Sequence, residues 1–476
     1  MKSRSILPYL SLILSIGISP LYASGGEAHS LLPPLWLVLP FIALLAMIAT
    51  GPLFYPTFWH HNYKFIAPGL GIAVALWYVL MMHDTHAPTH ALAEYISFVS
   101  LLAPLFIASG GIMIRADIEG NPKSNLIMLL SGAVLANIIG TTGASMLLIR
   151  PFIRLNRDRI SPYQIVFFIF FISNLGGSLT PIGDPPLFLG FLKGVPFDWT
   201  LIYIFPAWLF AMVGLSAFFY FFDSKNKKDL DHVKTFYSGR YLIAGKNNFI
   251  FLGIAIAAVF IDPNIFPWVP SLEIQGTKFS FLREAIQLTV SVLSFTLAEK
   301  RVLKRNEFSF EPIQEVAFLF IGIFLTMIPA LQLIGAFATT EQGKEAINTH
   351  SLYWATGLLS SFLDNAPTYV NFLTASMAKF GLDIVDPEAV RAFAAGTAAG
   401  VEPGNLSQSY LKAISIASVF FGAMTYIGNG PNFMVKSIAE FNGISMPSFF
   451  GYMIRFSIPV LLPILFLEWL IFFVLL

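Results

Sequence analysis

Two acids stand where an apolar chain is interrupted. Asp184 falls in the stretch 173–186, where Gly176, Gly177, Gly183, Pro181, Pro185 and Pro186 break a run that is otherwise oily from 165 to 192. Asp364 sits in Leu363-Asp364-Asn365-Ala366-Pro367-Thr368, inside the apolar stretch 352–380. Glycine frees the backbone, and proline removes an N–H and clashes with the preceding turn, so neither stretch is expected to stay helical throughout. At membrane depth such backbone is tolerated only against protein or a water-filled cavity. A carboxylate there, with Asn and Thr oxygens and freed carbonyls, is the hard-oxygen donor set that a sodium ion takes. Loss of hydration penalises the charged form of a carboxyl, so Asp364 is expected to exchange a proton for a cation. The neutral candidates for the same site are Asn137, Thr141, Thr142, Ser145, Asn174, Thr180, Asn365, Thr368, Thr425 and Asn429. Each acid also has a plainer reading as a helix N-cap, and Pro185-Pro186 after Asp184 suits a helix start.

The first break returns later in the chain. Residues 422–433 align without a gap on 177–188, repeating Gly, Thr, Ile, Gly, Pro and Phe, with Asn429 opposite Asp184. Paired interruptions in two halves are the sequence mark of a transporter binding site.

The elements that position these residues are membrane spans. Of 476 residues, 56% are hydrophobic and only 12% charged, whereas about a quarter are charged in a soluble domain. The expected segments are 35–55, 65–82, 95–114, 126–149, 165–192 and 201–222, then 249–261, 281–297, 316–338, 352–380, 411–441 and 449–476. Residues 1–24, with Lys2 and Arg4 before an apolar run, follow the plan of a signal peptide or form an N-terminal helix. The net charge of +1 gives no ground for a nucleic-acid partner, and the absence of Cys excludes disulfides and thiolate metal sites.

If every segment crossed, basic loops would fall on both faces. Lys123 precedes 126–149, and Arg150, Arg154, Arg157 and Arg159 follow it. Positive charge marks the cytoplasmic side. Both flanks stay inside if 126–149 is a re-entrant hairpin turning near Gly140, with 352–380 as its counterpart turning at Asp364. The fold expected is therefore an all-α polytopic membrane protein. It is an inverted-topology repeat with two re-entrant hairpins and two broken transmembrane helices. Residues 35–222 form the first half, 223–247 a cytoplasmic linker and 248–476 the second, inverted half.

The hairpin turns together with these two glycine- and proline-rich breaks resemble the ion transporter superfamily. That group includes NhaD-type sodium/proton antiporters, citrate–metal transporters and dicarboxylate carriers. The Asp364-Asn365 turn is most similar to the antiporter and citrate (CitMHS-like) branches. The dicarboxylate branch carries Ser-Asn-Thr at both hairpin tips, and neither tip here does. The resemblance implies a homodimer whose hairpins and broken helices move as a transport domain past a scaffold. It points to a secondary cation/proton antiporter in a bacterial inner membrane, needing no cofactor and taking sodium and protons as transported or coupling ions. Asp364 and Asp184 are then the sodium ligands.

A citrate or other carboxylate carrier on the same fold is the alternative. An enzyme would be an intramembrane aspartyl protease using Asp184 and Asp364, but Pro181 occupies the first glycine position of Gly-x-Gly-Asp. There is also no His-Glu-x-x-His for zinc and no phosphate-binding loop. Glu315, which opens 316–338, reads either as a helix-start carboxylate favoured by the dipole or as a proton relay. Glu402 belongs to an outer loop, and Glu468 is expected to reach the outer interface from the last span. The run His83 to His90 is expected to be a solvated loop rather than a zinc site.

Overall fold

The computed structural model describes residues 32–116, 120–226, 241–261, 266, 268–274, 277–279, 281–398 and 407–475. The expected leader, most of the linker and Glu402 lie outside the described residues. The chain is an all-α polytopic membrane protein. Its first half contains α1 (Leu39–Phe54), α2 (Pro56–Met81), α3 (His86–Gly110), β1 (Met113–Ala116) and α4 (Pro122–Leu155). Then come α5 (Pro162–Leu179), α6 (Pro185–Lys193) and α7 (Trp199–Lys225). After β2 (Tyr241–Ala244) follow α8 (Asn247–Val259), β3 (Leu272–Ile274), β4 (Thr277–Phe279), α9 (Phe281–Thr296) and α10 (Lys300–Arg305). The remainder is α11 (Glu311–Ala338), α12 (Glu341–Ala346), α13 (Thr349–Phe362), α14 (Asn365–Lys379) and α15 (Pro387–Ala395). The chain closes with α16 (Ser407–Phe420), α17 (Gly430–Phe441) and α18 (Phe449–Leu475).

Among the described residues, seven helices are long and apolar enough to cross a membrane: α2, α3, α4, α5, α7, α11 and α18. The strands form two short antiparallel ladders that the hydropathy pattern did not reveal. One of them pairs Met113 with Ala244, and so ties the end of the linker to the loop after α3.

Two places double back. A straight helix of 34 residues would run about 50 Å, yet Asn125 and Asn156 at the two ends of α4 exchange hydrogen bonds of 2.7 and 2.8 Å. The reversal occurs at Gly140, whose φ of +79° suits a residue without a side chain. In the second half the reversal falls between α13 and α14, at Leu363-Asp364. Lys379 Nζ at the end of α14 donates to the carbonyl of Ile347 just before α13. Both reversing units start with the same device. Asn121 and Asn348 accept from the backbone two and three residues on, and Ser124 and Ser351 accept from the Asn backbone in return. These capping boxes satisfy helix-end donors where apolar surroundings would not.

The α5 helix is the inner axis. Residues 165–172 are fully buried on every side, as an all-round apolar helix requires. It widens to a π-helical turn at Ile169–Asn174, tightens to a 3-10 turn at Leu175–Leu179, and stops. Beyond it the chain folds so tightly that a Cβ on Gly183 would lie 1.9 Å from the Gly177 carbonyl oxygen. The second break is built alike, with a Cβ on Gly428 falling 2.6 Å from the Gly422 oxygen. Around this axis α4 lies on α5, α13 on α16, α14 on α6 and α17 on α4. Helices α2, α3, α8, α9 and α11 pack on one another, and α14 joins them through α11. Phe98 of α3 and Phe320 of α11 stack at 4.6 Å within that group.

Candidate ion and substrate site

Asp184 is the centre. Its side chain is 1% exposed. Although it precedes α6 in the N-cap position, it makes no capping hydrogen bond to that helix. It points away instead, to three neutral donors from three other segments. Oδ1 accepts from Thr141 Oγ1 at 2.8 Å and from Asn429 Nδ2 at 3.0 Å, and Oδ2 accepts from Asn365 Nδ2 at 2.5 Å. Thr141 follows the Gly140 reversal, Asn365 opens α14, and Asn429 precedes α17. One carboxylate therefore gathers both reversals and both breaks.

Around it are polar atoms with nothing to bond. Asn174 donates to Asn432 Oδ1 at 2.6 Å and to the Ile169 carbonyl at 3.1 Å, but its own Oδ1 has no partner among the described residues. Asn365 Oδ1 is likewise buried without one. A Cβ on Gly422 would lie 3.1 Å from Asn174 Oδ1 and 3.7 Å from Asn365 Nδ2, so both amides border the second break. A buried unpaired acceptor costs roughly 1–3 kcal/mol, so two beside a carboxylate form a place for a positively charged guest.

Asp364 caps a helix start. Its Oδ1 accepts from Ala366 N at 3.0 Å, capping α14, and its carbonyl accepts from Thr368 Oγ1 at 3.0 Å. It is half-buried beside Asn365 and makes no hydrogen bond to Asp184 among the described residues, but it lies close enough for the two acids to interact electrostatically. Several of the neutral candidates hold the broken backbone. Asn137 donates to the Ala133 and Gly176 carbonyls and accepts from Leu179 N, while Thr180 Oγ1 donates to the Asn137 carbonyl. Thr425 matches Thr180, donating to the Ser361 carbonyl and accepting from Gly428 N. Ser145 Oγ and Ser173 Oγ lie 2.8 Å apart, and Asn429 also donates to the Ser173 carbonyl.

Thr142 faces a cavity of about 70 Å³ lined by Gly140, Thr141, Gly183 and Pro185 and closed by Pro312 and Val316 of α11. That is room for several waters. Glu315 stands half-buried on the same helix turn. Sequence reasoning passed over Asn432, which orients Asn174. The signal was present, since Asn432 stands where the first half has Leu187.

Two expectations elsewhere are corrected by geometry. Glu468 does not reach the interface: it is fully buried, because α18 presents that face to the protein. The His83 to His90 run is not a solvated loop throughout: α3 begins at His86, with Asp84 Oδ1 engaged by His86 N at 2.8 Å and Ala87 N at 3.2 Å, and Pro88 is buried. No cluster of three metal-binding side chains occurs among the described residues.

Residues 29–473 match a protein family described as putative citrate transport. Similar proteins include an uncharacterized transporter of Mycobacterium tuberculosis, 25% identical over 331 residues covering 67% of this chain and 68% of that protein. A 46 kDa membrane protein of Mycobacterium leprae is 24% identical over 335 residues, with the same coverage. With the match spanning nearly the whole described chain, this protein belongs to that citrate-transport-like family and is a polytopic membrane transporter rather than an enzyme.

Proposed function

We propose that the protein is a secondary active transporter of the bacterial inner membrane that exchanges a cation, sodium first, for protons. The observation that carries this reading is the buried Asp184 carboxylate, held by three neutral donors beside two unpaired amide oxygens. Among the described residues no hydrogen bond to a basic side chain neutralises it, so charge balance is left to the transported ion. A sodium ion replaces the missing donors with its own charge, and a proton on the same carboxyl competes with it.

An inverted repeat supports alternating access. Packing partners exchange in pairs: α2 lies on α11 as α9 lies on α3, and α6 lies on α14 as α17 lies on α4. With 35–222 and 248–476 as the repeats, the two reversals become re-entrant hairpins and the two breaks become broken membrane helices. The hairpins and breaks form the moving part of an elevator and slide past α2, α3, α8, α9 and α11. The cavity beside Thr141 is lined by Pro312 and Val316 at the start of α11, which follows the basic segment ending at Arg305. Because the chain has no Cys, single cysteines at 123 and 154 test the topology directly, and both should label from the cytoplasmic side only.

A carboxylate substrate is the second reading, favoured by the family's description and by three helix starts, those of α6, α14 and α17, meeting at one place. Flux in inverted vesicles separates the two. Sodium or lithium alone should move protons, whereas a citrate carrier would require citrate.

A further inference from the structure

Glu468 is a second buried acid that the Asp184 site does not use. It is fully buried in α18, and neither carboxylate oxygen has a partner among the described residues. The chain shows how such an acid is satisfied when it is only structural. Asp223 lies as far after Phe188 as Glu468 lies after Phe433, so the internal alignment pairs them. Asp223 is also fully buried, yet it accepts from Asn125 at 3.0 Å, Arg159 at 2.9 Å, Tyr163 at 2.5 Å and Gln164 at 2.8 Å. Glu468 accepts nothing.

Its surroundings narrow what it binds. Lys412 of α16 is the cation facing it, with Nζ 4.8 Å from the ring of Phe472, one turn beyond Glu468 on the same face of α18. Tyr353 of α13 is the other ionisable group facing it, and its hydroxyl already donates to the Leu465 carbonyl at 2.9 Å. His350, farther along α13, packs its ring on Trp469 at 5.7 Å, and α7 contributes the ring of Phe210 against Phe472. Trp469 Nε1, a donor only, is unpaired. A metal cation needs several ligands converging on it, and no cluster of three metal-binding side chains occurs here among the described residues. A proton needs nothing but the carboxylate.

We propose that Glu468, with Lys412 as its charge partner, is a proton-binding site separate from Asp184, loading and unloading one proton during the transport cycle. The carboxylate exchanges the proton with water as the hairpins and breaks, Lys412 among them, move during the cycle. No bond other than O–H forms or breaks. The role in the cycle rests on the transporter reading, but proton binding itself does not.

The test is infrared spectroscopy of the purified full chain in liposomes during acidification, run on wild type, Glu468→Gln and Lys412→Met, with sodium-driven proton flux measured in parallel. A protonated-carboxyl band should appear in wild type and be diminished by one carboxyl's share in Glu468→Gln, which preserves shape. In Lys412→Met its titration should be displaced by about one pH unit. Coupled flux in Glu468→Gln should fall roughly tenfold, a loss of about 1.4 kcal/mol. An undiminished band in Glu468→Gln, an unmoved titration in Lys412→Met, or wild-type flux in Glu468→Gln would each overturn the proposal. If wild type itself moves no protons with sodium, the antiport reading fails while the band still reports on Glu468.

Discussion

The two breaks share a backbone and differ in charge. Each closes a glycine pair, Gly177 on Gly183 and Gly422 on Gly428, and each sends a threonine hydroxyl to a carbonyl in the neighbouring reversal. At the equivalent position one carries Asp184 and the other Asn429, and the two side chains are hydrogen-bonded to each other at 3.0 Å. The two breaks, alike in backbone, thus carry one acid between them instead of two. Two carboxylates this close would repel, and two amides would leave nothing for a cation to neutralise. The asymmetry is the chemistry, and the symmetry is what positions it.

Erasing that difference should have the largest effect. Asp184→Asn makes the breaks alike and removes the charge, with an expected loss of about 3 kcal/mol in cation binding, roughly a hundredfold. Folding should survive, because the amide keeps the shape. Equilibrium sodium binding to the purified variant is the check. Asn429→Asp makes them alike in the other sense and should weaken sodium-dependent flux roughly tenfold through like-charge repulsion. The exchanged pair, Asp184→Asn with Asn429→Asp, restores one charge and should recover about tenfold over Asp184→Asn alone. An exchanged pair as inactive as Asp184→Asn would show that the charge must sit on the first break, next to Thr141.

Smaller changes sharpen the same contrast. Thr141→Val removes one donor from the carboxylate and should cost about 1.5 kcal/mol, near tenfold in affinity, read from the sodium dependence of initial rates. The two reversals also differ, one turning on Gly140 at positive φ and the other on the cap of Asp364. Gly140→Ala should lower stability by about 1–2 kcal/mol, and Asp364→Ala by about 1 kcal/mol through loss of the cap, both read as shifts in thermal unfolding. A much larger effect of Asp364→Ala on transport than on unfolding would return Asp364 to the ion site.

The helical segments and both breaks were legible because hydropathy, Gly and Pro act locally. Residues 281–297, polar by membrane standards, still emerge as a helix, with Arg283, Glu284 Oε1 and Ser97 bonding one another in the interior. The site's cast of residues was also legible, since Asp, Asn and Thr in an oily break advertise themselves. Their division of labour was not. Whether Asp184 or Asp364 faces the other half depends on which side chain turns from its own helix start, and that is fixed by contacts more than a hundred residues away, such as Asn365 and Asn429. For the same reason Glu468 read as interfacial, since nothing local distinguishes a lipid-facing turn of α18 from a protein-facing one. The ladder of Met113 to Ala244 escaped because four residues carry too little periodicity to register.

The central claim is that the single charge between the two breaks binds the transported cation. Its most direct test is the initial rate of sodium-driven proton movement in proteoliposomes containing wild type or Asp184→Asn at matched protein and orientation. Sodium without citrate should drive protons in wild type and produce no flux above empty liposomes in Asp184→Asn. Wild-type rates in Asp184→Asn, or a wild-type flux that appears only when citrate is added, would contradict it.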